Sequence, residues 1–199
     1  HAFENCTQLY EFYYLSTTLF TDDNLFVSTT NLQKVKILSG FTLQNSEKEI
    51  VSTLITGTVG EKTRYVYCTE EKRMTIYGEG KVTEQGWSNQ KGRIESVMIE
   101  GGITELPVEA FRSHTLLKEF IVNETNNAFS TMNKVLFNKD QTRLIQYPIG
   151  LTEETYEVPN SVTTIGQSAF AESNSELTTI TLPKGLVTIE SKSFESTGI

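Results

Sequence analysis

The residues with chemical reach are few and scattered. Two histidines, His1 and His114, and two cysteines, Cys6 and Cys68, stand far apart. They show no Cys-x-x-Cys and no His-x-x-x-His spacing, so no metal site and no cofactor is expected. No G-x-S-x-G nucleophile elbow occurs. Gly78-Glu79-Gly80 lacks the third glycine of a phosphate-cradling loop and falls at a hairpin end, not at a helix start. Glu70-Glu71 and Glu153-Glu154 have the residue type for glycoside hydrolysis, but charged loop tips are ordinarily just solvated. A Ser/His/Asp triad meets only in space. Yet His1 heads the chain, and His114 occupies the repeat slot that Cys6 holds in the first copy. A buried or turn-stabilising histidine is the expectation there. Asp22-Asp23-Asn24 offers oxygen ligands for Ca²⁺, although a turn explains that tripeptide. No catalytic residue is expected, and the chain reads as a non-enzyme.

Charge narrows the partners. The chain has 199 residues, with 17 Lys and Arg against 25 Asp and Glu, for a formal net charge of −8. Such a surface repels phosphate, so neither nucleic acid nor anionic membrane is an expected partner. No apolar run reaches the ~18 residues needed to span a bilayer. The two cysteines either pair or pack as buried thiols, which leaves the redox compartment open.

The elements that must position any site come from a repeat. TYEVPNSVTTIGQSAF from Thr155 is followed 24 residues later by TITLPKGLVTIESKSF from Thr179. Tyr156/Ile180, Val158/Leu182, Pro159/Pro183, Val162/Leu186, Ile165/Ile189 and Phe170/Phe194 all fall at that offset. A small residue followed by Phe recurs at Ala2-Phe3, Ala110-Phe111, Ala169-Phe170 and Ser193-Phe194, with Leu25-Phe26 as a variant. This period predicts a β-rich leucine-rich-repeat solenoid, right-handed, with a parallel sheet on one wall and short helical turns on the other. The pairs Phe12/Tyr14, Val35/Ile37, Val97/Ile99, Phe120/Val122, Tyr156/Val158 and Ile180/Leu182 lie two apart and point inward from successive strands. Gly166 after Ile165 suggests a tight turn with positive φ.

Two stretches depart from the period. Residues 133–148 (NKVLFNKDQTRLIQYP) contain two β-type runs around Asn-Lys-Asp-Gln and read as an inserted hairpin. Residues 41–92 contain TRYVYC and RMTIYGEG around Thr-Glu-Glu-Lys, then Trp87, and read as a β-rich hairpin or capping module. The expected organisation is therefore repeats over 1–40, this module over 41–92, and hairpin-bearing repeats over 93–199. Both ends read as cut from a longer array.

GQSAFAESNSELTTITLPKGLVTIESKSF and VPNSVTTIGQSAF resemble the BspA-like leucine-rich repeat of bacterial and protist surface proteins. LFNKDQTRLIQYP resembles the family's hairpin-bearing repeat, and MTIYGEGKV with Trp87 and IESVMIEGGITELPVEAF resembles the segment that opens an array. The likeness is good over residues 57–194 and thinner over 1–40. It departs from the pattern at Leu106-Pro107, which replaces Ile-Gly, and at His114 and Ser173, which replace a frequent Cys. The resemblance implies a cell-surface or secreted, adhesin-like protein. Its partner would be a host or microbial surface or extracellular-matrix protein, or a glycan, and the protein would act as a monomer.

Residues flanking the inward ones point out of the sheet, and an exposed sheet wall is where solenoids commonly bind. Tyr13, Lys36, Met98, Ile121, Glu157 and Thr181 are the candidate binding residues; Tyr13, Met98 and Ile121 stand out because apolar residues on an exposed sheet need a reason. Asn5-Cys6-Thr7 and Asn123-Glu124-Thr125 are acceptor sequons for N-glycosylation, with Asn5 and Asn123 as the candidate sites. Two other readings stay open: a structural spacer without a specific ligand, and a hydrolase.

Overall fold

A computed structural model describes the backbone of Glu11–Tyr14, Lys34–Leu38 and residues 50–199, with side chains from Leu54 onward. His1, Asn5, Cys6 and the Asp22-Asp23-Asn24 turn lie outside the described residues, as do the side chains of Tyr13 and Lys36. The chain forms two units, His1–Thr56 with Tyr67–Glu71, and Gly57–Val66 with Lys72–Ile199.

In the first unit, Glu11–Tyr14 and Lys34–Leu38 pair in parallel, Phe12 opposite Val35 and Tyr14 opposite Ile37. The repeat offset thus sets the strand register directly. Ile50–Thr58 continues the parallel order beside Lys34–Leu38 after a one-residue shift between Val35 and Lys36.

In the second unit the repeats wind as a β-solenoid. Its first front sheet holds Arg73–Gly78, Ser96–Ile99 and Glu119–Val122 in parallel, with Met74 opposite Val97 and Val97 opposite Phe120. Met74, Ile76, Val97, Ile99 and Phe120 are buried, as the two-residue alternation requires. Thr63–Cys68 and Arg73–Gly78 are the strands read from TRYVYC and RMTIYGEG, and Glu79 N donates to Lys62 O. Gly78 is needed there: its φ is 104°, and a Cβ would lie 2.1 Å from Lys62 O. A second front sheet pairs Thr155–Glu157 with Thr179–Thr181, Tyr156 opposite Ile180.

The inserted stretch is larger than a single hairpin. Phe129–Met132, Val135–Asn138 and Arg143–Gln146 form an antiparallel meander, which the back wall extends in parallel with Thr164–Ile165 and Thr188–Ile189. Asn133 and Lys134 both have positive φ, 50° and 71°, as the two-residue type I′ hairpin turn demands. Val135, Leu136 and Phe137 are consecutive and all fully buried, so both faces of this strand are covered. Val135, Phe137 and Leu144 join the core of the following coils with Tyr147, Tyr156, Val162, Ile165 and Phe170. Leu136, on the opposite face, lies across from Thr131 and Gln146. The meander is therefore a partition between two stretches of core. Its tip reaches the front wall, where Phe120 N donates to Lys134 O at 2.9 Å.

The short helical turns expected on the outer wall are not confirmed. Among the described residues the only helical element is a 3₁₀ turn, Ser88–Gln90. Each small-Phe step is instead a run of single turns: Ala110 N to Pro107 O and Arg112 N to Glu109 O, then Ala169 N to Gly166 O and Ala171 N to Ser168 O. Glu109, Ser168 and Lys192, two before each Phe, have φ of 60°, 56° and 59°; Ser113, Glu172 and Ser196, just after, have 62°, 60° and 57°. Left-handed residues at both flanks interrupt any right-handed helix after one turn. Gly166 also departs from expectation. It is not among the positive-φ glycines; its smallness answers a close approach, because a Cβ would meet Leu144 O at 2.8 Å.

Aromatic rings stack from coil to coil along this wall. Trp87 lies on Phe111 at 5.7 Å, Tyr147 on Phe170 at 5.3 Å, and Phe170 on Phe194 at 5.3 Å. The small residue before each Phe is buried, and the preceding coil bonds to its carbonyl. Trp87 Nε1 reaches Ala110 O, Tyr147 N reaches Ala169 O, and Phe170 N reaches Ser193 O.

Candidate functional site

The first front sheet brings two of the six candidate binding residues together. Thr75, Met98 and Ile121 lie in one row across three strands, with Met98 directly opposite Ile121, and all three are half-buried. A charge ladder runs along the N-terminal ends of the same strands, three residues before this row. Lys72 Nζ and Lys118 Nζ lie 2.5 and 2.9 Å from the two oxygens of Glu95. The hydrogen bonds from Lys118 and Lys72 hold the Glu95 carboxyl down at about 2. On the same side Arg73 Nε donates to Ser96 Oγ at 3.3 Å.

Glu157 and Thr181 are also direct neighbours, but on the second front sheet, and both are exposed. The wall expected to be continuous is thus divided within this unit. Glu119–Val122 and Thr155–Glu157 belong to successive coils, yet they do not pair, because the Asn133–Lys134 tip enters between them. Tyr13 and Lys36 face each other in register on the first unit's strands.

Asn123 is held by its own surroundings. Its Nδ2 donates to Glu100 Oε2 at 2.7 Å, and its Oδ1 accepts from Thr125 N and Thr125 Oγ1 at 3.0 and 2.8 Å. His114 is fully buried; its Nδ1 lies 3.0 Å from Arg112 O and its ring meets Phe111 edge-on at 5.8 Å. Burial lowers its pKa. A sealed, neutral imidazole bonded to a turn carbonyl is part of the coil, with no access to a substrate. Cys68 is buried as well.

Several structural residues carried no signal in the sequence. Arg112 meets Glu109, Glu172 and Glu195, from three coils, at 3.1, 3.0 and 2.7 Å. The buried Asn126 donates from Nδ2 to Glu100 O and Ile103 O and accepts from Ala128 N and Phe129 N, pinning the start of the meander. The Asn133-Lys134 turn was not read from the sequence, which set the loop at Asn138–Gln141; a two-residue loop with Asn after Phe129–Met132 is the signal that could have found it.

Two clefts flank the partition. One, of about 250 Å³, lies between residues 104–111 and the face bearing Phe129, Leu136 and Gln146. The other, of about 380 Å³, separates Asn133 and Lys134 from Glu153 and Thr155–Glu157. Among the described residues no group of three His, Cys, Asp or Glu side chains is placed to hold a metal ion. No helix there is long and apolar enough to cross a membrane.

Comparison with known proteins agrees with this architecture. No curated protein matches. Among solved structures, the pneumococcal vaccine antigen PcpA superposes with a TM-score of 0.55 at 21% identity, over 86% of this chain and 42% of that one. A leucine-rich repeat protein from Eubacterium ventriosum gives 0.44 at 17% identity, over 72% and 63%. A leucine-rich cell surface protein from Faecalibacterium prausnitzii gives 0.47 at 17% identity, over 97% and 40%. The chain thus spans 40–63% of the length of these neighbours. The BspA type leucine rich repeat region matches in 6 copies over residues 1–49, 62–154 and 151–199, and the chain belongs to that family.

Proposed function

We propose that the chain is a surface-displayed or secreted recognition module that grips a partner protein through its front wall. The observation that carries this is Met98 directly opposite Ile121 on the outward side of the first front sheet. Two neighbouring apolar side chains there gain most when a partner covers them. The Lys72–Glu95–Lys118 ladder at the N-terminal ends of these strands supplies a polar rim, which orients a partner more than it adds affinity. The description of the pneumococcal neighbour as a vaccine antigen suits display at a cell surface.

The test is a binding screen of the immobilised chain against extracellular-matrix proteins and whole host or microbial cells. It is repeated with Met98→Asp, Ile121→Asp and Tyr13→Asp. Saturable binding abolished by Met98→Asp and Ile121→Asp, with circular dichroism unchanged, is the expected result. Binding that survives both substitutions places the contact elsewhere.

A second reading, a spacer without a specific ligand, draws on the second front sheet. Its outward residues, Thr155, Glu157, Thr179 and Thr181, are all polar and exposed. Wild-type protein that binds nothing in the screen favours that reading.

A further inference from the structure

We propose that the cleft of about 250 Å³ on the back wall binds a small, neutral aromatic molecule with a single N–H or O–H donor, of which indole is the type. This site is separate from the front wall and goes beyond the recognition reading. It exists because the insertion interrupts the back sheet. Among the described residues Ile103–Glu105 pairs only with Gly80–Lys81, while the next back strand, Arg143–Gln146, belongs to the five-stranded sheet. The space left there lies just below the ~300–1,000 Å³ of clefts for drug-sized ligands, which suits one compact ring system.

A β-bulge aims one polar group at the floor. Phe137 opposes Leu144 on the core face, and the next pair is Leu136 opposite Gln146, so one strand advances by one residue while the other advances by two. The extra residue, Ile145, turns Gln146 onto the cleft face beside Leu136, and bulges near sites re-aim side chains in this way. Gln146 is only 6% exposed. Its Nε2 donates to Tyr147 O at 3.0 Å and to Ala169 O at 3.4 Å, which fixes the orientation of the amide. Its Oε1 has no donor among the described residues, and unlike the Tyr147 and Tyr156 hydroxyls it is not sealed off but faces the cleft that Gln146 lines. An almost buried acceptor with open lone pairs calls for a donor.

The charges of the lining are already matched. Arg143 holds the Glu190 carboxylate through both terminal nitrogens. Glu109 lies 3.1 Å from Arg112 and 2.7 Å from Ser168 Oγ, and Glu105 lies 2.6 Å from Lys81 Nζ. An ion entering the cleft finds no charge left to pair with, so the ligand is neutral. Its body is apolar, because Leu106, Pro107 and Val108 form one wall and Phe129, Leu136 and Ile145 form the sheet face opposite. Val108, at 60% exposure, is apolar surface that gains when covered. A slot between a loop and a sheet face takes a flat body, and a rigid ring enters without the rotamer loss of a flexible chain. One ring with one donor meets both walls and the Gln146 oxygen.

The experiment titrates the full chain with indole, 1-methylindole and indole-3-acetate by calorimetry. The variants are Val108→Asp, Gln146→Leu and Met98→Asp. The expected outcome is one saturable site for indole, with 1-methylindole bound about tenfold more weakly because it lacks the donor. Indole-3-acetate binds no tighter than indole. Val108→Asp, an exposed position, weakens indole about tenfold or more with Tm unchanged. Gln146→Leu abolishes the preference for indole over 1-methylindole, which a merely structural role for the amide would leave in place. If that variant does not fold, the ligand pair and Val108→Asp still decide the question. Absence of a saturable indole site, equal affinity for indole and 1-methylindole, tighter binding of the acid, or indole affinity unchanged in Val108→Asp overturns the proposal. Met98→Asp retains indole binding; a protein partner lost in Met98→Asp, with no indole bound by wild type, overturns the aromatic site and leaves the recognition reading standing.

Discussion

Tyr147 stacks on Phe170 with ring centroids 5.3 Å apart and planes inclined by 28°, as Phe170 stacks on Phe194 at 5.3 Å and 10°. Tyr147 N donates to Ala169 O, and Phe170 N donates to Ser193 O, each at 2.8 Å. The irregular coil that carries the partition has no small-Phe step, and Tyr147 fills the vacant rung. Residues 112–147 are thus one enlarged coil, with Trp87 and Phe111 stacked before it and Tyr147, Phe170 and Phe194 stacked from its end onward.

That assignment separates ring from hydroxyl. Tyr147→Ala removes a fully buried ring and is expected to cost about 3–5 kcal/mol. Tyr147→Phe removes only a hydroxyl without a partner, so stability should hold or rise slightly. Denaturant unfolding of both variants checks the contrast. A loss above about 1 kcal/mol in Tyr147→Phe would falsify the view that the ring alone matters.

Gly166 and Gly185 offer a paired test of coil spacing. An added Cβ at Gly166 meets the Leu144 carbonyl at 2.8 Å and the Arg143 guanidinium at 3.3 Å, whereas at Gly185 the nearest atom is 4.0 Å away. Gly166→Ala should destabilise by about 1–3 kcal/mol, because coils hydrogen-bonded at Gly166 N must move apart. Gly185→Ala should stay within about 0.5 kcal/mol. Equal thermal shifts in the two variants would show that close approach does not explain the glycine.

The paired strands were the most legible part of the chain. Thr155–Glu157 pairs with Thr179–Thr181 at the 24-residue offset because identical faces repeat there, and stacking them is the one way to bury Tyr156 beside Ile180. The outer wall was not legible. Glu109, Ser168 and Lys192 take positive φ, yet none of these residue types announces it. The partition was half legible. Val135-Leu136-Phe137 is a continuous apolar run, the mark of a strand buried on both faces, but Phe129–Met132 reads FSTM and has little pattern of its own. The candidate binding residues were placed correctly on strands. Their division into separate sheets depended on where the Asn133–Lys134 tip ends, which no local pattern encodes.

His114 should give the fold a titration near neutrality. Burial depresses its folded pKa below the unfolded value of 6.5, so its contribution is complete above about pH 6.5. That contribution declines as pH falls below 6.5 toward the folded value, because the unfolded chain binds the proton first. Ser173 occupies the equivalent slot in a later coil, with its hydroxyl donating to Phe170 O, so His114→Ser is the natural substitution. Wild-type Tm should drop as pH falls below about 6.5, and the variant's curve should be flatter there. Parallel curves would assign the slope to other groups.

Arg143 and Glu190 tie the back sheet together across two coils, in a fork-to-fork ion pair. Nη1 and Nη2 each stand 2.5 Å from a separate carboxylate oxygen, and Glu190 Oε2 also accepts Gln167 N at 2.9 Å. The hydrogen bond from Arg143 leads in lowering the Glu190 pKa. The pair is therefore intact above the unfolded carboxyl value near 4.3 and weakens as pH falls through the folded one. The side chains are 38% and 33% exposed, so solvent screening holds the expected coupling in a double-mutant cycle to about 1 kcal/mol. Arg143→Lys should forfeit most of it, since an ammonium cannot make the two parallel bonds. Because the guanidinium also lies over Gly166, Arg143→Ala should relieve part of the Gly166→Ala penalty. Strict additivity of those two substitutions would mean that the clash falls entirely on the Leu144 carbonyl.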